Sequence, residues 1–374
     1  MKISEKNQAV QTIQTTIVAI FAVVYGTLLI IFAKDVGEAV KFYIEICLTA
    51  IIPSMFAFMA LSTFIVSTGI YRVLSRPFGG ISRTVFRIPA EYFSIFLLSC
   101  IAGYPIGAKL LAESVRKNPE KREIAAHLQC FCFMGGPAYF CGIISLSLFG
   151  NITFGLIIFG VIFSVNVIIG ILSGITRPMP PKKNYKIETE ISAEKFFSAI
   201  KDGGASILMM CGVIIFFGTF ICILEKLGFI NFTAEIIANL TNLSFSDATA
   251  LTKAIFEINN LRALTPGNVM ILPIITMFLS FGGICVALQM YQFAQGFINV
   301  GKFAISRFTA AVMSYIFVKI ILWVVPELTA LIVSRPQISP AVTKDSFLPS
   351  VFIIIMILMV PMLRTLTIKK EEMK

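Results

Sequence analysis

The sequence predicts an all-α polytopic membrane protein, with about eight spanning helices and two re-entrant hairpins arranged as an inverted repeat with broken helices. Three observations support this fold class. Of the 374 residues, 57% are hydrophobic and only 14% are charged, which is more apolar sequence than a soluble core requires. The apolar residues form runs of membrane length, and glycine and proline interrupt some of these runs at their centres.

The composition also excludes several classes of site. The eight cysteines lie within apolar runs, without Cys-x-x-Cys spacing or histidines at ligand spacing, so we expect neither disulfides nor a metal site. The net charge of +11 comes from basic residues in the connections between apolar runs, where membrane topology explains it better than nucleic-acid binding. The sequence has no phosphate-binding loop and no hydrolase motif, so we expect neither an enzyme nor a resident cofactor.

Eight apolar runs approach the roughly 20 residues that cross the hydrocarbon core. In chain order they are 10–33, 44–67, 125–149, 153–175, 205–224, 269–292, 303–325 and 347–363. The first run is too long for the core of a signal peptide, so it is predicted to be a retained span. Two further stretches, 92–115 and 229–263, either cross the membrane or enter it and return to the same side.

The distribution of lysine and arginine distinguishes these two topologies. If both stretches return to the side they entered, 22 basic residues, Arg307 among them, lie on the side of the N-terminus and five lie opposite. If both stretches cross, the two sides hold 14 and 13. Because cytoplasmic loops carry the excess of positive charge, the hairpin topology is favoured, with both termini on the cytoplasmic side of the plasma membrane. An arm of about a dozen residues, or roughly 18 Å of helix, reaches the bilayer midplane.

The two halves of the chain show a weak but ordered self-similarity. Residues 51–56 correspond to 206–211, the tip at 103–105 to 257–259, and the Gly-Gly pair at 135–136 to the pair at 282–283. Three full crossings separate the two units, so the second is predicted to be inverted relative to the first. The predicted division is an N-terminal span (1–43), a first repeat (44–175), a basic cytoplasmic linker (176–203), a second repeat (204–325) and a C-terminal span with a basic tail (326–374).

The motifs at the predicted helix breaks resemble those of a known family. Residues 103–109 (GYPIGAK), 135–139 (GGPAY) and 281–289 (FGGICVALQ) look like the YlbJ-type sporulation integral membrane proteins, within the nucleoside-recognition (Gate) domain family. The resemblance covers roughly residues 44–325. The Gate family is distantly similar to concentrative nucleoside transporters and to the ferrous iron permease, which implies two re-entrant hairpins and two broken helices around a midplane site.

Polar groups beside the predicted breaks are the candidates for substrate binding. Glu257 lies at the tip of the second hairpin, where a desolvated carboxylate can take up a proton or help to bind Na⁺ and a polar solute. An ion pair with Lys253 or Arg262 is the structural alternative. Lys109 follows the first tip, and it either meets an anionic solute, pairs with Glu257 or extends to the cytoplasmic face.

Broken helix ends also expose backbone N–H and C=O groups that can bind ions at the midplane. Gln289 and Gln129 lie within spans, where binding of solute and hydrogen bonding to another helix are both open. The single histidine, His127, is expected to be an interfacial residue rather than a proton relay. The predicted substrate-binding set is Gly103, Tyr104, Pro105, Lys109, Gly135, Gly136, Glu257, Asn259, Asn260, Gly282, Gly283 and Gln289.

These features predict a secondary transporter for a small polar solute, nucleosides first, with its site between the two hairpins and with Na⁺ or H⁺ as the candidate coupling ion. The rival hypothesis is a non-transporting membrane scaffold that assists envelope or spore assembly through partners bound to the loop 177–201. A metal permease is disfavoured, because no cysteine or histidine cluster lies near either tip. The expected partners are the lipid bilayer, a small polar solute and a second copy of the chain, but not nucleic acid.

Overall fold

A computed structural model describes residues 2–181 and 189–328, and within these ranges the chain is helical with no strand. The predicted span at 347–363 lies outside the described residues. The helices of the first half are α1 (Lys2–Ile31), α2 (Ala33–Ile46), α3 (Ile52–Ser67), α4 (Ile70–Ser75), α5 (Gly79–Thr84), α6 (Phe93–Ala102), α7 (Ile106–Lys117), α8 (Arg122–Gln129), α9 (Leu146–Phe149) and α10 (Ile152–Ile175).

The second half of the described chain is also helical. Its helices are α11 (Ala193–Lys226), α12 (Phe229–Thr241), α13 (Phe245–Phe256), α14 (Leu272–Phe281), α15 (Gly283–Ala294) and α16 (Val300–Val324). Short 3₁₀ helices cover Arg76–Phe78, Ala90–Tyr92, Pro119–Lys121, Ile258–Ala263 and Val269–Ile271, and π-helical turns cover Cys47–Ile51 and Ala138–Ser145.

Six helical segments of the described residues are long and apolar enough to cross a membrane, which supports a multi-pass membrane protein. They are Thr12–Ile31, Ala33–Ser67, Ile152–Ile175, Ala193–Lys226, Val269–Ala294 and Val300–Val324. The segment predicted at 44–67 begins earlier than expected, because α2 continues through the π-helical turn into α3.

The predicted span at 125–149 is not one continuous helix. Helix α8 ends at Gln129, and regular helical structure resumes only with the π-helical turn at Ala138. Gly135, Gly136 and Pro137 lie between them, where proline lacks an N–H group and glycine adopts helix-breaking conformations easily. Helices α6, α7, α12 and α13, from the two ambiguous stretches, contain only 10 to 13 residues each, so none of them is long enough to span alone.

Side-chain caps fix where several helices begin. Asn151, Ser192 and Ser244 precede α10, α11 and α13, and each side chain accepts a hydrogen bond from a backbone N–H group in the first turn. The packing of the helices then joins the long ones to one another and to the broken segments. Helix α3 packs against α11, α14 against α16, and α10 against both α16 and the Ala138–Ser145 turn.

The outer surface is apolar where the long helices face outward. Leu208 on α11, Phe308 on α16 and Trp323 at the end of α16 are 67%, 69% and 83% exposed. A soluble protein rarely leaves so many large apolar side chains uncovered, whereas a bilayer solvates them. The interior, by contrast, holds the short helices, the helix breaks and several buried polar side chains.

Candidate functional site

The first helix break separates α6 from α7 at Gly103, Tyr104 and Pro105. Gly103 ends α6 with a φ of +80°, a left-handed conformation that strains residues with a side chain. A Cβ atom on Gly103 would come within 2.6 Å of the backbone nitrogen of Gly136. Two glycines therefore let the first break pack directly against the second, and Tyr104 extends from this contact toward the other half, where its hydroxyl donates to the Leu279 carbonyl at 3.3 Å.

The second break, residues 130–137, loses the regular hydrogen bonds of a helix, and an arginine compensates for them. Arg307 of α16 is 2% exposed, and its guanidinium donates to the carbonyl oxygens of Cys130 and of Phe133, the latter at 2.9 Å. It also donates to Oδ1 of Asn166 on α10 at 3.2 Å and lies over the Phe133 ring. The charge count treated Arg307 as one of the cations of the cytoplasmic side, but its side chain is buried against broken backbone and is not a solvated loop cation.

The third break follows α13 and carries a carboxylate. Glu257 has an extended backbone, is 1% exposed, and directly precedes the Ile258–Ala263 turn. Its Oε2 accepts from the backbone nitrogen of Asn259 at 2.9 Å, and its Oε1 accepts from Nδ2 of Asn259 at 2.8 Å. The Glu257 carbonyl accepts from Nδ2 of Asn260 at 2.7 Å. The tip thus forms a compact network of one carboxylate and two amides.

Two tyrosines from the first half of the chain donate hydrogen bonds to this network. The Tyr139 hydroxyl donates to Oδ1 of Asn259 at 3.1 Å, and the Tyr43 hydroxyl donates to Oδ1 of Asn260 at 3.0 Å. Both contacts are buried and join residues more than 100 positions apart. Because the amide nitrogens of Asn259 and Asn260 already donate to Glu257, the tyrosines fix the orientation of both asparagines.

The fourth break lies between α14 and α15 at Gly282 and Gly283, which have φ values of +93° and +77°. A Cβ atom on Gly282 would meet the Phe133 ring, and one on Gly283 would meet the Ala254 carbonyl oxygen. Gly282 and Gly283 therefore pack against Phe133 and α13, respectively. Helix α15 then directs Val286 and Gln289 toward Glu257.

These breaks enclose a small cavity of about 30 Å³. That volume holds one or two water molecules. Its lining comes from both halves of the chain and consists of Ile51, Met55, Tyr104, Gly135, Gly136, Tyr139, Met210, Ile214, Glu257, Ile258, Asn259, Val286 and Gln289. The Glu257 side chain is therefore next to space that can hold a small ligand.

The charged residue in the lining of this cavity is the acid Glu257. Among the residues that the structure describes, no lysine or arginine nitrogen lies within 4 Å of the Glu257 carboxylate. Lys253, the sequence-predicted partner, instead pairs with Glu225 at 2.8 Å. A buried carboxylate with only amide donors around it has a strong tendency to bind a proton or a small cation.

The structure brings together part of the predicted substrate-binding set. Six predicted residues line the cavity: Tyr104, Gly135, Gly136, Glu257, Asn259 and Gln289. Gly103, Pro105, Gly282 and Gly283 shape the breaks without lining it, and Asn260 lines a separate, outer cavity beside Tyr43. Lys109 lies away from Glu257, because its Nζ donates to the Asp202 carbonyl at 3.0 Å and to the Ser206 hydroxyl at 2.8 Å on α11.

Sequence reasoning missed two kinds of residue. Tyr139 lines the cavity and holds Asn259, and its hydroxyl next to the Gly-Gly-Pro break was a signal that could have identified it. Met210 and Ile214 also line the cavity, but nothing in an apolar helix marks which side chains face inward. No cluster of three or more His, Cys, Asp or Glu side chains suited to a metal occurs in the described ranges.

Searches of protein-family models, of curated proteins and of solved structures found no match to this chain.

Proposed function

We propose that this protein is a secondary transporter for a small polar solute and that the cavity beside Glu257 is the closed form of its binding site. The observation that carries the proposal is the convergence of helix breaks from both halves on one buried carboxylate, with which no cation pairs among the described residues. Broken helices are tolerated in a membrane where they line a cavity or a pathway. Ionisable groups at membrane depth are costly and are therefore retained mainly for function.

The order of elements supports an inverted repeat. In each half a long helix (α3 or α11) precedes a short helix with a break at its end (α6 or α13), then a broken segment, then a long helix (α10 or α16). The two broken segments are α8 with the Ala138–Ser145 turn, and α14 with α15. Inverted repeats with discontinuous helices are the common architecture of secondary transporters, and the resemblance to the Gate family points the same way.

The size of the cavity bears on which conformational state the proposed transporter is in. Pockets for organic ligands usually measure about 300–1,000 Å³, so a nucleoside does not fit into the present 30 Å³. A proton or a dehydrated Na⁺ does fit beside Glu257. We therefore propose an occluded, solute-free state, in which separation of Tyr104 from the α13 tip admits the solute and Glu257 binds the coupling ion.

Uptake into proteoliposomes tests the proposal. Purified protein is assayed with a panel of radiolabelled polar solutes, nucleosides first, with and without imposed H⁺ and Na⁺ gradients, beside protein-free liposomes. The proposal expects at least one solute to accumulate and the gradient to increase its accumulation. Absence of uptake and of saturable binding across the panel would refute it.

The second candidate is a non-transporting scaffold for envelope or spore assembly, and one observation favours it: most side chains around the small cavity are apolar. A scaffold depends on partner-binding loops and not on Glu257. Replacing the loop 177–201 would then abolish function in cells, while Glu257→Gln, Asn259→Ala and Lys109→Ala would leave it intact. A transporter gives the opposite pattern for Glu257.

A further inference from the structure

A second and much larger cavity lies at one end of the helix bundle. Its volume is about 910 Å³, and it is distinct from the cavity beside Glu257. The C-terminal end of α10, the N-terminal end of α16 and helix α8 form its walls, and residues 295–299 close one side. Because α10 and α16 are both candidate membrane spans, the cavity lies where these spans end, at the depth of lipid headgroups.

The cavity is positively charged. Arg122, Arg177 and Lys302 line it, against the single carboxylate of Glu123. None of these three cations forms an ion pair within the residues that the structure describes. Arg177 follows the end of α10, and Lys302 lies in the first turn of α16, so cations from two different spans face one space.

A buried histidine supplies a separate indication of a ligand. His127 also lines the cavity and is only 9% exposed, yet its Nε2 atom has no hydrogen-bond partner in the described part of the chain. The imidazole packs edge-on against the Phe131 ring, with the ring centroids 5.5 Å apart. The ring therefore lies in the wall of the cavity with one nitrogen unsatisfied, which is uncommon for a buried polar atom.

The wall that continues along the two spans is apolar. Leu172 of α10 and Ile305 of α16 line the cavity and are 55% and 70% exposed. They lie within the candidate spans, while the cations lie at the ends of those spans. The cavity thus offers a charged end and an apolar end in the order in which a phospholipid presents its headgroup and its acyl chains.

We propose that this cavity binds an anionic phospholipid. Arg177 and Lys302 hold the phosphate, and the acyl chains lie along Leu172 and Ile305. A turn of the His127 ring brings its buried Nε2 atom to the cavity surface, where a hydroxyl of the headgroup donates to it. Basic pockets between helices at the cytoplasmic side bind lipid headgroups by the same chemistry. A phosphatidylglycerol headgroup carries both the phosphate and the hydroxyl donors that these side chains match.

Titration of the full-length protein in detergent with short-chain lipids tests the assignment, with native mass spectrometry as the readout. Phosphatidylglycerol should bind at least about tenfold more tightly than phosphatidylcholine, and Arg177→Ala/Lys302→Ala should remove this preference. Arg76→Ala/Lys201→Ala is the matched control, because it removes the same charge from exposed sites outside the cavity. His127→Phe should weaken phosphatidylglycerol more than phosphatidate, which lacks the headgroup hydroxyl.

Three outcomes would overturn the proposal. They are equal binding of phosphatidylcholine, an equal loss in the control variant, and binding of glycerol phosphate as tight as that of the lipid, which would indicate a site for a free anion. The melting temperature in phosphatidylcholine nanodiscs shows whether each variant is folded. If the double variant does not fold, Arg177→Ala and Lys302→Ala are titrated singly, and each should weaken phosphatidylglycerol and not phosphatidylcholine.

Discussion

The break at residues 130–137 and the break at Glu257 differ in how their buried polar groups find hydrogen-bond partners. Both interrupt helices in the interior, and both leave backbone polar groups without helical partners. At 130–137 Arg307, a cation from another helix, donates to the free carbonyl oxygens. Its guanidinium is therefore already occupied by these hydrogen bonds. At Glu257 the carboxylate accepts from the neutral amides of Asn259, whose own side chain the Tyr139 hydroxyl orients, and no cation pairs with it within the residues that the structure describes.

This difference separates a structural break from a candidate functional one. A satisfied break holds the helices in a single arrangement, since moving Arg307 would leave several buried polar groups unpaired. An unsatisfied charge beside a cavity does not stabilise the fold, so it is explained better by binding. We therefore expect the stability of the protein to depend most on the break at 130–137, and ligand binding to depend most on the break at Glu257.

The largest effect on stability is expected from Arg307→Met. The change leaves the Cys130 carbonyl oxygen and Oδ1 of Asn166 without their donor, at about 1–3 kcal/mol for each unsatisfied group, while the Phe133 carbonyl keeps Nδ2 of Asn166 at 3.3 Å. The melting temperature in detergent should fall sharply, or the protein should fail to elute as a single species. Lys319→Met, in the exposed part of the same helix, is the control and should melt near wild type. Equal melting of the two variants would show that the 130–137 break needs no cation.

Substituting the break glycines compares the two halves directly. Gly103→Ala combines a φ of +80° with a Cβ only 2.6 Å from backbone, so we expect a loss of about 1–3 kcal/mol. Gly283→Ala has a similar φ, but its nearest contact is 3.2 Å, so we expect a loss nearer to 1 kcal/mol. Thermal unfolding of both variants gives the order. A larger loss for Gly283→Ala would contradict the direct packing of the two breaks in the first half.

Tyr139→Phe should have a smaller effect. It removes one buried hydrogen bond to Asn259, which corresponds to about 1 kcal/mol, and it keeps the ring that packs beside the cavity. Tyr43→Phe, which removes the bond to Asn260, is the matched variant on the other asparagine. If the two tyrosines orient the asparagines independently, the two losses of unfolding free energy, measured by thermal denaturation, should add in the double variant. If the double variant loses no more unfolding free energy than either single variant, the two tyrosines act as a unit.

The smallest change in stability is expected from Glu257→Gln. The amide keeps the shape and one of the two acceptor oxygens for Asn259, and it removes a buried charge with which no cation pairs in the described part of the chain. The lost acceptor and the lost buried charge act in opposite directions, so the melting temperature should stay close to that of wild type. A fall comparable to that of Arg307→Met would mean that the carboxylate is structural, and the contrast between the two breaks would fail.

Much of the fold could be predicted from the sequence, because membrane spans are long apolar runs and their breaks need glycine or proline. The position of Glu257 and Asn259 opposite Tyr104 followed from matching 103–105 with 257–259 in the repeat. The direction of Lys109 did not follow, since sequence alone does not show which face of α7 is directed toward α11. The burial of Arg307 did not follow either, because a charge count treats every cation near the end of a span as solvated. Eight residues of broken backbone at 130–137, with Asn166 inside a neighbouring span, were the available sign that a buried donor was needed.

If the cavity beside Glu257 is a transport site, as we propose, then loss of the carboxylate should abolish transport without unfolding the protein. Gradient-driven accumulation of solute is compared between wild-type protein and Glu257→Gln in the same proteoliposomes, with folding verified by thermal melting. The account predicts that wild type accumulates a polar solute and that the folded variant loses accumulation at least about tenfold, a difference of roughly 1.4 kcal/mol. Equal accumulation by the two proteins, or none by wild type, would contradict it.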